Sequence, residues 1–530
     1  MNTFSFLEKA ALYRGDQTAI IYGNERTSYA EFREHSLTIA GNLLQLGLSA
    51  GDRVAFCMAN NPRILEVIYA CFAAGLVVVP INARLHPKEM AYILDNSGAK
   101  VFIHGSEYHK GIVENIAVFP NLTARVCFTK EEGTIAFDEL LDSTNSLNCA
   151  VEIEGDEPCW LFYTSGTTGK PKGAIWSHRI IRVVCMNYLA DLHNIQPGEM
   201  VLHAAPLSHG SGIAALPAIA RGATNAIYDQ TSFDPKSLFE TVERLSVSHI
   251  AFLAPTQIIK MLEDYRADKF DLSSLKAICY GGAPIHVEHL KKAMKTFGPI
   301  FIQLYGQGES PITISGMTSE QHKTLLAAND PRIGSTGTIR TDVEVRIVND
   351  NDENLPQGEI GEITVRGDVI MQGYWNMAEA TANTIRQGWL HTGDIGMFDD
   401  KGYLYLLDRS KDVVITGGNN VYPREVEEVI MQLPGVVDAV VLGIPDDYWG
   451  EAVHAVIIKE PRSDITAKDV IDHCSNSLAG YKKPKGVDFV TEFPISGYGK
   501  ILRREIRAEY WKNHEKTIGG SVKLGTEAQL

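Results

Sequence analysis

Apolar and polar residues alternate with two different periods along the chain. Near the start, Ser28 and Glu31 have the spacing of a helix capping box, and the apolar residues Phe32, Ile39 and Leu43 then recur with the helical period. Residues 53–57 read as a strand. The same alternation of helix and strand continues through the chain. It predicts layered α/β domains rather than an all-β fold or a helix bundle.

Three short apolar runs are each followed at once by a glycine-containing turn. They cover residues 160–163, 275–280 and 300–304. Each pattern predicts a buried strand that ends in a loop. Because ligands of open α/β sheets bind beyond the carboxyl ends of the strands, we expect the three loops to meet at one site.

The pattern changes after about residue 409. A predicted helix begins at Pro423, and strand-like runs cover residues 436–444 and 452–459. These elements are enough for a compact second domain of about 100 residues. The predicted organisation is a domain at 1–407, a junction at Asp408, a second domain at 409–512 and a frayed polar tail at 513–530.

Composition and charge exclude several classes of function. The net charge of −16 argues against nucleic acid or an anionic membrane as the main partner. The most apolar run, residues 67–81, is shorter than the ~20 residues that span a bilayer, so we expect no integral membrane segment. The eight cysteines form no CxxC pair and show no Cys/His ligand spacing. We therefore expect reduced thiols, no zinc site and a cytoplasmic location.

The strongest chemical signal is the ten-residue run TSGTTGKPKG, which begins at Thr164. Its glycines let backbone N–H groups turn toward an anion, its hydroxyl groups add donors, and its two lysines neutralise phosphate charge. The run is not a Walker A loop, because Thr164 replaces the first glycine of that motif and Pro171 replaces its Ser or Thr. The sequence therefore predicts a phosphate-binding loop of another kind.

This run resembles the signature loop of the adenylate-forming (AMP-binding) superfamily. That superfamily includes acyl-CoA synthetases such as fatty-acid–CoA ligases, firefly luciferases and the adenylation domains of nonribosomal peptide synthetases. Further motifs follow in the family's order: GGAP at 281–284, YGQGE at 305–309, GWLHTGD at 388–394, DRSKDVVITGGNNVYPREVE at 408–427 and GYGKILRRE at 497–505. The resemblance implies an α/β fold with a large, multi-layer N-terminal domain of mixed sheets and a small, mobile α+β C-terminal domain.

The resemblance also implies a site for ATP and Mg²⁺. The matching nucleotide-binding positions are Thr164, Ser165, Gly166, Thr167, Thr168, Gly169, Lys172, Gly282, Ala283, Tyr305, Gly306, Gln307, Gly308, Asp394, Arg409 and Lys500. The family implies that Tyr305 stacks on adenine and that Asp394 and Arg409 reach the ribose. Glu309 and Thr164 are implied as the metal-binding pair, and oxygen ligands suit Mg²⁺. The chain departs from the family at Gly308, where a threonine is usual, so one expected hydroxyl contact is missing.

Two residues are implied to be catalytic. Lys500 follows flexible glycine-containing sequence, and its ammonium group would offset the repulsion between a substrate carboxylate and the α-phosphate. His209 matches a family position that borders the acyl carboxylate and the thiol tunnel. Outside these motifs, a lysine or histidine of this kind would be an ordinary surface or core residue.

Coenzyme A and the acid are implied as the other two substrates. Gly417 and Gly418 would line the pantetheine tunnel, where glycine permits close approach, and Asp408 would be the hinge for the small domain. Lys482, Lys483 and Lys485 either contact the phosphates of coenzyme A or form an ordinary solvated turn. The predicted acyl pocket consists of His209, Gly210, Thr256, Tyr280 and Gly281. Small residues from 210 to 214 either leave room for a bulky acid or belong to the core.

The resulting prediction is an ATP-dependent acyl-CoA ligase that forms acyl-AMP and pyrophosphate, and then acyl-CoA and AMP. Transfer to a carrier protein and luciferase-like oxidation are the alternatives within the family. A remote alternative is an NAD-dependent dehydrogenase, because residues 210–215 fit G-x-G-x-x-A and Asp229 follows Gly210 by 19 residues. Pro206 and Pro217 argue against it, because they interrupt the required strand and helix. The choice among fatty, aromatic and alicyclic acids and the oligomeric state, a homodimer included, are left open.

Overall fold

The computed structural model describes residues 1–111, 121–164, 170–230, 232–264, 269–496 and 499–512. The predicted tail at 513–530 lies outside these residues. The strands are β1 (Thr18–Tyr22), β2 (Glu25–Ser28), β3 (Arg53–Cys57), β4 (Val77–Ile81), β5 (Val101–His104), β6 (Ala124–Cys127), β7 (Ile135–Ala136), β8 (Pro158–Thr164), β9 (Lys172–Ser177), β10 (Met200–His203), β11 (Thr224–Ile227), β12 (His249–Leu253), β13 (Ala277–Gly281), β14 (Phe301–Tyr305), β15 (Ser315–Met317), β16 (Thr338–Ile339), β17 (Glu344–Val348), β18 (Gly361–Arg366), β19 (Ile385–Arg386), β20 (Trp389–Phe398), β21 (Leu404–Arg409), β22 (Val414–Thr416), β23 (Asn419–Val421), β24 (Val436–Asp446), β25 (Gly450–Lys459) and β26 (Gly486–Val490).

The α-helices of the described residues bury side chains in the core, except Ala378–Thr384, which has no buried residue. They span Ser5–Arg14, Tyr29–Gln45, Pro62–Ala74, Pro87–Ser97, His178–Asn187, Gly210–Arg221, Pro235–Leu245, Pro255–Asp264, Val287–Phe297, Ser319–Ala327, Ala378–Thr384, Pro423–Ile430, Ala467–Ser477 and Arg503–Trp511. Within this part of the chain, none of the helices combines the length and the apolar character needed to cross a membrane.

The local predictions near the N-terminus are confirmed. Ser28 Oγ accepts a hydrogen bond from the backbone N–H of Glu31 at 3.2 Å, and the Glu31 carboxylate accepts one from the backbone N–H of Ser28 at 2.8 Å. This capping box begins the helix Tyr29–Gln45. The apolar run at 67–81 forms the end of a buried helix and then β4, which explains its hydrophobic character without a membrane.

Four sheets are formed by the described residues. The first has the order β16-β15-β14-β13-β12-β10-β11-β1-β2, and the second β7-β6-β5-β3-β4-β8-β9. Both are parallel except for antiparallel strands at their edges. The third has the order β17-β18-β20-β19, with β21 also paired to β20, and is antiparallel. The fourth has the order β23-β22-β25-β24, with β26 also paired to β25.

The two large sheets share one hydrophobic core. Helices Tyr29–Gln45 and Pro62–Ala74 contribute Phe32, Tyr69 and Phe72 to it, and Tyr69 makes edge contacts with the two phenylalanine rings at 5.4 and 5.5 Å. The large domain is therefore layered and its sheets are mixed, whereas the fourth sheet is built only from residues after 413. The predicted fold class is confirmed.

The helix Gly210–Arg221 corrects one prediction, because it contains Pro217 in its interior. A proline there removes one backbone hydrogen bond but does not prevent the helix, whose residues from Gly210 to Ile219 are all buried. Burial in the core offsets the lost bond. Both glycines of the G-x-G-x-x-A pattern lie within this helix rather than in a loop before it, so they do not form a dinucleotide-binding turn.

Asp408, the predicted junction between the domains, lies within β21. Asp408 pairs with Ile395 of β20, and its Oδ1 accepts the backbone N–H of Arg409 at 2.8 Å. Its Oδ2 is buried and has no hydrogen-bond partner among the described residues. Burial raises the pKa of Asp408 to about 7, although the positive charge of Arg503 opposes the shift. The small domain contributes that arginine.

The contact between the two domains is polar. His286 lies just before the helix Val287–Phe297, and its Nδ1 and Nε2 are 3.4 Å from Glu428 and 3.5 Å from Asp438 of the small domain. The backbone N–H of Val287 donates to Glu428 at 3.2 Å. Arg424 donates to two carbonyl groups of the large domain at 3.3 and 3.4 Å. Desolvation opposes protonation of His286, but the two carboxylates outweigh it and raise the pKa to about 10.

We predict that protonated His286 stabilises this arrangement of the domains. Its pKa is raised, so the contribution is complete below the ordinary histidine pKa of about 6.5 and is lost as the pH rises through about 10. In His286→Gln this pH dependence should disappear. Energy transfer between a dye on the exposed Cys149 and a dye on the small domain would measure the distance between the domains at each pH.

His473→Gln is the matched control, because His473 contacts the carbonyl of Val429 within the small domain. An unchanged pH dependence in His286→Gln would contradict this role.

Candidate active site

The loops after β8 and β14 meet, although these strands belong to different sheets. Thr164 ends β8, and its hydroxyl donates to Glu309 Oε1 at 3.3 Å. The indole N–H of Trp176, on β9, donates to the carbonyl of Gly308 at 2.8 Å. Of the three strand ends predicted to meet, these two therefore do so. Predicted phosphate-binding residues outside the described part of the chain are Ser165, Gly166, Thr167, Thr168 and Gly169.

Glu309 has a second neighbour that the sequence motifs do not include. The hydroxyl of Tyr374 donates to Glu309 Oε1 at 2.6 Å, and Lys172 Nζ lies 4.9 Å from the centre of the Tyr374 ring. Burial and the Glu309 carboxylate raise the pKa of Tyr374, so its hydroxyl stays protonated as a donor. Among the described residues, both side-chain hydrogen bonds to Glu309 fall on Oε1 and none on Oε2.

Asp394 brings three other predicted residues together. Its Oδ2 accepts the hydroxyl of Tyr305 at 2.8 Å and the amide of Gln307 at 2.6 Å, and its Oδ1 lies 2.8 Å from Arg409 Nε. The residue is only 3% exposed. Desolvation raises the pKa of Asp394, whereas the Arg409 guanidinium lowers it. The elements β14, β20 and β21, which are far apart in the sequence, thus contribute to one cluster around a buried carboxyl group.

Lys500 reaches this site from the small domain. The carbonyl of Gly499 accepts the hydroxyl of Thr256 at 2.6 Å, which holds the Lys500 loop against the large domain. A Cβ added to Gly282, whose φ is 77°, would stand 3.6 Å from Lys500 Cε. Solvent reaches part of the lysine, yet desolvation and repulsion from Arg409 lower its pKa to about 8. Lys500 and Arg409 therefore face the same space, together with the carboxylates of Asp394 and Glu309, which oppose the shift.

His209 lies at the start of the helix Gly210–Arg221 and stacks on Phe162, with ring centres 4.6 Å apart. Desolvation and the positive charge of Lys500 lower the pKa of His209 to about 3. The imidazole is consequently neutral near pH 7. It can donate or accept a hydrogen bond, but it is a weak base.

The small residues beside His209 allow close packing. A Cβ on Gly210 would lie 3.0 Å from the ring of Phe252, and one on Gly212 would lie 2.0 Å from the carbonyl oxygen of Leu207. These contacts favour the core interpretation for both glycines. Phe252, which sequence analysis missed, is the side chain that faces Gly210 and Gly282.

The prediction that Tyr280 lines the acyl pocket is not supported. Its hydroxyl is 3.0 Å from His322 Nε2, and its ring makes an edge contact with Phe301 at 6.2 Å in the buried cluster of the large domain. Alternate residues of a strand face opposite sides, and Cys279 belongs to the cluster that contains Phe252. The neighbouring Gly281 allows close backbone approach to β14.

Gly417 and Gly418 form the turn between β22 and β23 with φ values of 55° and 81°. The backbone N–H of Gly417 donates to the carbonyl of Trp449 at 2.9 Å, and a Cβ there would lie 2.5 Å from the indole ring. Lys485 Nζ lies 4.4 Å from the centre of the same ring. Trp449 is 43% exposed, so the turn, the indole and the lysine form one surface of the small domain.

The chain matches two family models: AMP-binding enzyme over residues 7–375 and AMP-binding enzyme C-terminal domain over residues 425–500. It is 35% identical over 495 residues to a feruloyl-CoA synthase of Amycolatopsis sp, covering 93% of this chain and 96% of that protein. It is 33% identical over 493 residues to the long-chain-fatty-acid–CoA ligase FadD13 of Mycobacterium tuberculosis, with coverages of 92% and 93%. The solved structure of the anthranilate CoA ligase AuaEII in complex with anthranoyl-AMP is similar, with a TM-score of 0.88, 25% identity and coverages of 96% and 97%.

We predict that Gly308→Ala destabilises the site. The added Cβ would lie 2.1 Å from the methyl group of Thr164 and 2.9 Å from Phe162. Overpacking of this kind costs about 1–3 kcal/mol. Denaturant unfolding would measure the loss.

To test whether the Thr164 methyl group causes the loss of stability, the same substitution is made in a Thr164→Ser background. This background removes the methyl group and keeps the hydroxyl. Part of the stability should return in the double variant. Strictly additive losses would show that the Thr164 methyl is not the source of the clash.

Proposed function

Because the chain belongs to the AMP-binding enzyme family of adenylate-forming acyl-CoA synthetases, we propose that it is an ATP-dependent acid–CoA ligase. The acid would first react with ATP to give acyl-AMP and pyrophosphate. Coenzyme A would then give the acyl-CoA thioester and AMP. The observation that carries this proposal is the position of Lys500, which comes from the small domain and lies beside Gly282 and the Asp394–Arg409 pair.

The first step joins two anions. A carboxylate oxygen of the acid attacks the α-phosphorus, and the bond from that phosphorus to the pyrophosphate oxygen breaks. The ammonium group of Lys500 and the guanidinium of Arg409, which Asp394 holds in place, stabilise the added negative charge. Their mutual repulsion in the free protein is relieved when the anionic substrates bind.

The nucleotide base and ribose fit the cluster around Asp394. Tyr305 offers a planar ring at the end of β14, and its hydroxyl is held by Asp394. The Asp394 carboxylate is a strong acceptor for ribose hydroxyl groups. We place AMP here, with the phosphates directed toward Lys172 and the loop after Thr164.

The residues around Glu309 fit Mg²⁺. Glu309 Oε2 and the Thr164 hydroxyl supply oxygen atoms, which are the ligands that this cation prefers. When bound, Mg²⁺ would neutralise phosphate charge. The methyl group of Thr164 fills the space that a side chain at Gly308 would occupy, so in this chain Thr164 supplies the hydroxyl on that side of the site.

The second step needs a different arrangement of the domains. The Gly417–Gly418 turn and Trp449 belong to the same small domain as Lys500, and Lys500 already occupies the site. We propose that the small domain turns about Asp408 after adenylation and presents the turn in place of Lys500. The neutral His209 would then orient the acyl group. The polar contacts at His286 can be exchanged for water during that motion.

The acid is proposed to have an apolar aromatic or aliphatic body. This rests on the rings of His209 and Phe252 and on the similarity to proteins named for ferulate, anthranilate and long-chain fatty acids. A panel of fatty, aromatic and alicyclic acids, assayed for coenzyme A-dependent AMP release, would test it. Accumulation of acyl-AMP without AMP release would contradict the thioester step. A homodimer and a cytoplasmic location stay predictions for gel filtration and cell fractionation.

We predict that Lys500→Ala abolishes acyl-adenylate formation, measured as acid-dependent exchange of pyrophosphate into ATP. Formation of thioester from supplied acyl-adenylate should continue, because the lysine acts only on the first transition state. Lys512→Ala is the control, since this lysine of the same domain pairs with Glu509 at the surface. Equal loss of both half-reactions would contradict the assignment.

We predict that Trp449→Ala raises the KM for coenzyme A roughly 2- to 5-fold, because the indole both holds Lys485 and packs on the Gly417 turn. The rate of pyrophosphate exchange should not change. Lys482 is not expected to contribute, since it pairs with Glu425 at 2.7 Å.

Tyr448→Ala, at a neighbouring residue that is 82% exposed, is the control. If Trp449→Ala lowered both half-reactions equally, the substitution would be acting on the fold of the small domain instead.

A further inference from the structure

Two histidines and one cysteine meet at the carboxyl ends of β5 and β6 in the seven-stranded sheet. β5 and β6 are parallel neighbours, and their last residues, His104 and Cys127, are paired in register. His109 follows a short 3₁₀ turn, and its ring stacks on that of His104 with centres 5.6 Å apart. One potential ligand atom from each of the three residues lies within 4.8 Å of the other two.

The orientation of His104 leaves one nitrogen unpaired. The residue is fully buried, and its Nδ1 lies 3.1 Å from the carbonyl oxygen of Gly105, so Nδ1–H donates there. The lone pair then lies on Nε2, which is buried and has no hydrogen-bond partner among the described residues. The same holds for Nδ1 of His109. A histidine whose Nδ1–H is tied to a backbone carbonyl is oriented as metal-bound histidines are.

The thiol of Cys127 has a supporting donor. The backbone N–H of Thr129 donates to Ser106 Oγ at 3.0 Å, and that hydroxyl lies 3.6 Å from Cys127 Sγ. With the N–H bound to its oxygen, the Ser106 hydroxyl group is placed to donate to the sulfur. A donor of this kind stabilises a metal-bound thiolate.

We propose that His104, His109 and Cys127 bind one Zn²⁺ ion, with water as the fourth ligand. Two imidazoles and one thiolate suit a tetrahedral zinc site with Zn–N of about 2.0–2.1 Å and Zn–S of about 2.3 Å. Binding would release the thiol proton of Cys127 to solvent. The partly exposed His109 lies on the side from which water can reach the ion.

This site is separate from the catalytic cleft. The proposal departs from the sequence prediction of no zinc site. β5 lies three strands from β8, which places it about 14 Å from Thr164 in the hydrogen-bonding direction. The ion would link the ends of β5 and β6 to the turn after β5. The sequence shows no zinc spacing because the ligands come from two strands and the turn between them.

A second cluster, formed by His193, Glu199 and His249, also has ligand atoms within 4.8 Å of one another. It is a weaker candidate. The two imidazole Nε2 atoms contact each other directly, and Glu199 pairs with Lys276 at 2.7 Å. The polar atoms of this second cluster therefore already have partners, so the cluster serves as a control for zinc binding.

The test is metal binding by the full chain purified without a histidine tag. After removal of metal with a chelator, the protein should take up about one equivalent of Zn²⁺ and keep it through gel filtration. Co²⁺ should give a thiolate-to-cobalt absorption band. Cys127→Ser and His109→Ala should lose the tight equivalent, and Cys127→Ser should also lose the band. Ser106→Ala, which keeps all ligands, should weaken zinc binding about 10-fold or more.

Cys149→Ser, at an exposed cysteine, and His249→Ala, in the second cluster, should bind zinc like the unaltered chain. Circular dichroism and pyrophosphate exchange would confirm that each variant is folded. Failure of the unaltered chain to retain zinc would overturn the proposal. So would full retention by Cys127→Ser, or loss of the equivalent in His249→Ala.

Discussion

The buried carboxyl group of Asp394 is the point on which the site is built. An unpaired carboxylate at 3% exposure would be strongly destabilising, and here Tyr305, Gln307 and Arg409 each supply a donor to it. Those donors come from a strand of the nine-stranded sheet, from the loop that follows this strand, and from the strand that precedes the small domain. Satisfying one buried charge therefore fixes the relative position of two sheets and of the chain that leads into the small domain.

The positive charges of Arg409 and Lys500 also explain why the cleft attracts anions. Desolvation and then repulsion from Arg409 lower the pKa of Lys500, although the carboxylates of Asp394 and Glu309 oppose the shift. An anionic substrate is attracted to a space where cations are held close together by the fold. The strength of that attraction depends on the small domain being in place, because Lys500 arrives with it.

Much of this could be predicted from residues that lie close together in the sequence. Ser28 and Glu31 predicted a helix start, and the apolar runs before Thr164, Gly281 and Tyr305 predicted strands whose loops carry the chemistry. The local pattern of apolar residues indicates the period of a strand, but it does not indicate which face of the strand packs into the core. This is why the sequence did not indicate that the Tyr280 side chain packs against His322 and Phe301.

Contacts between distant segments could not be predicted in the same way. Tyr374 meets Glu309 and His286 meets Asp438 through tertiary packing that no spacing records. Pro217 was misjudged because helix propensity describes an isolated helix, whereas burial decides in a core.

The attachment of Lys500 through Thr256 has a consequence for how the protein is made. Domains fold largely as units, and the N-terminal one folds first during synthesis. The large domain, with Asp394, Glu309 and the strand ends, is complete on the ribosome before the segment with Lys500 has been translated. An unfinished chain can thus fold its nucleotide cleft but lacks Lys500. The last part of the site to be synthesised is therefore the lysine that we propose stabilises the first transition state.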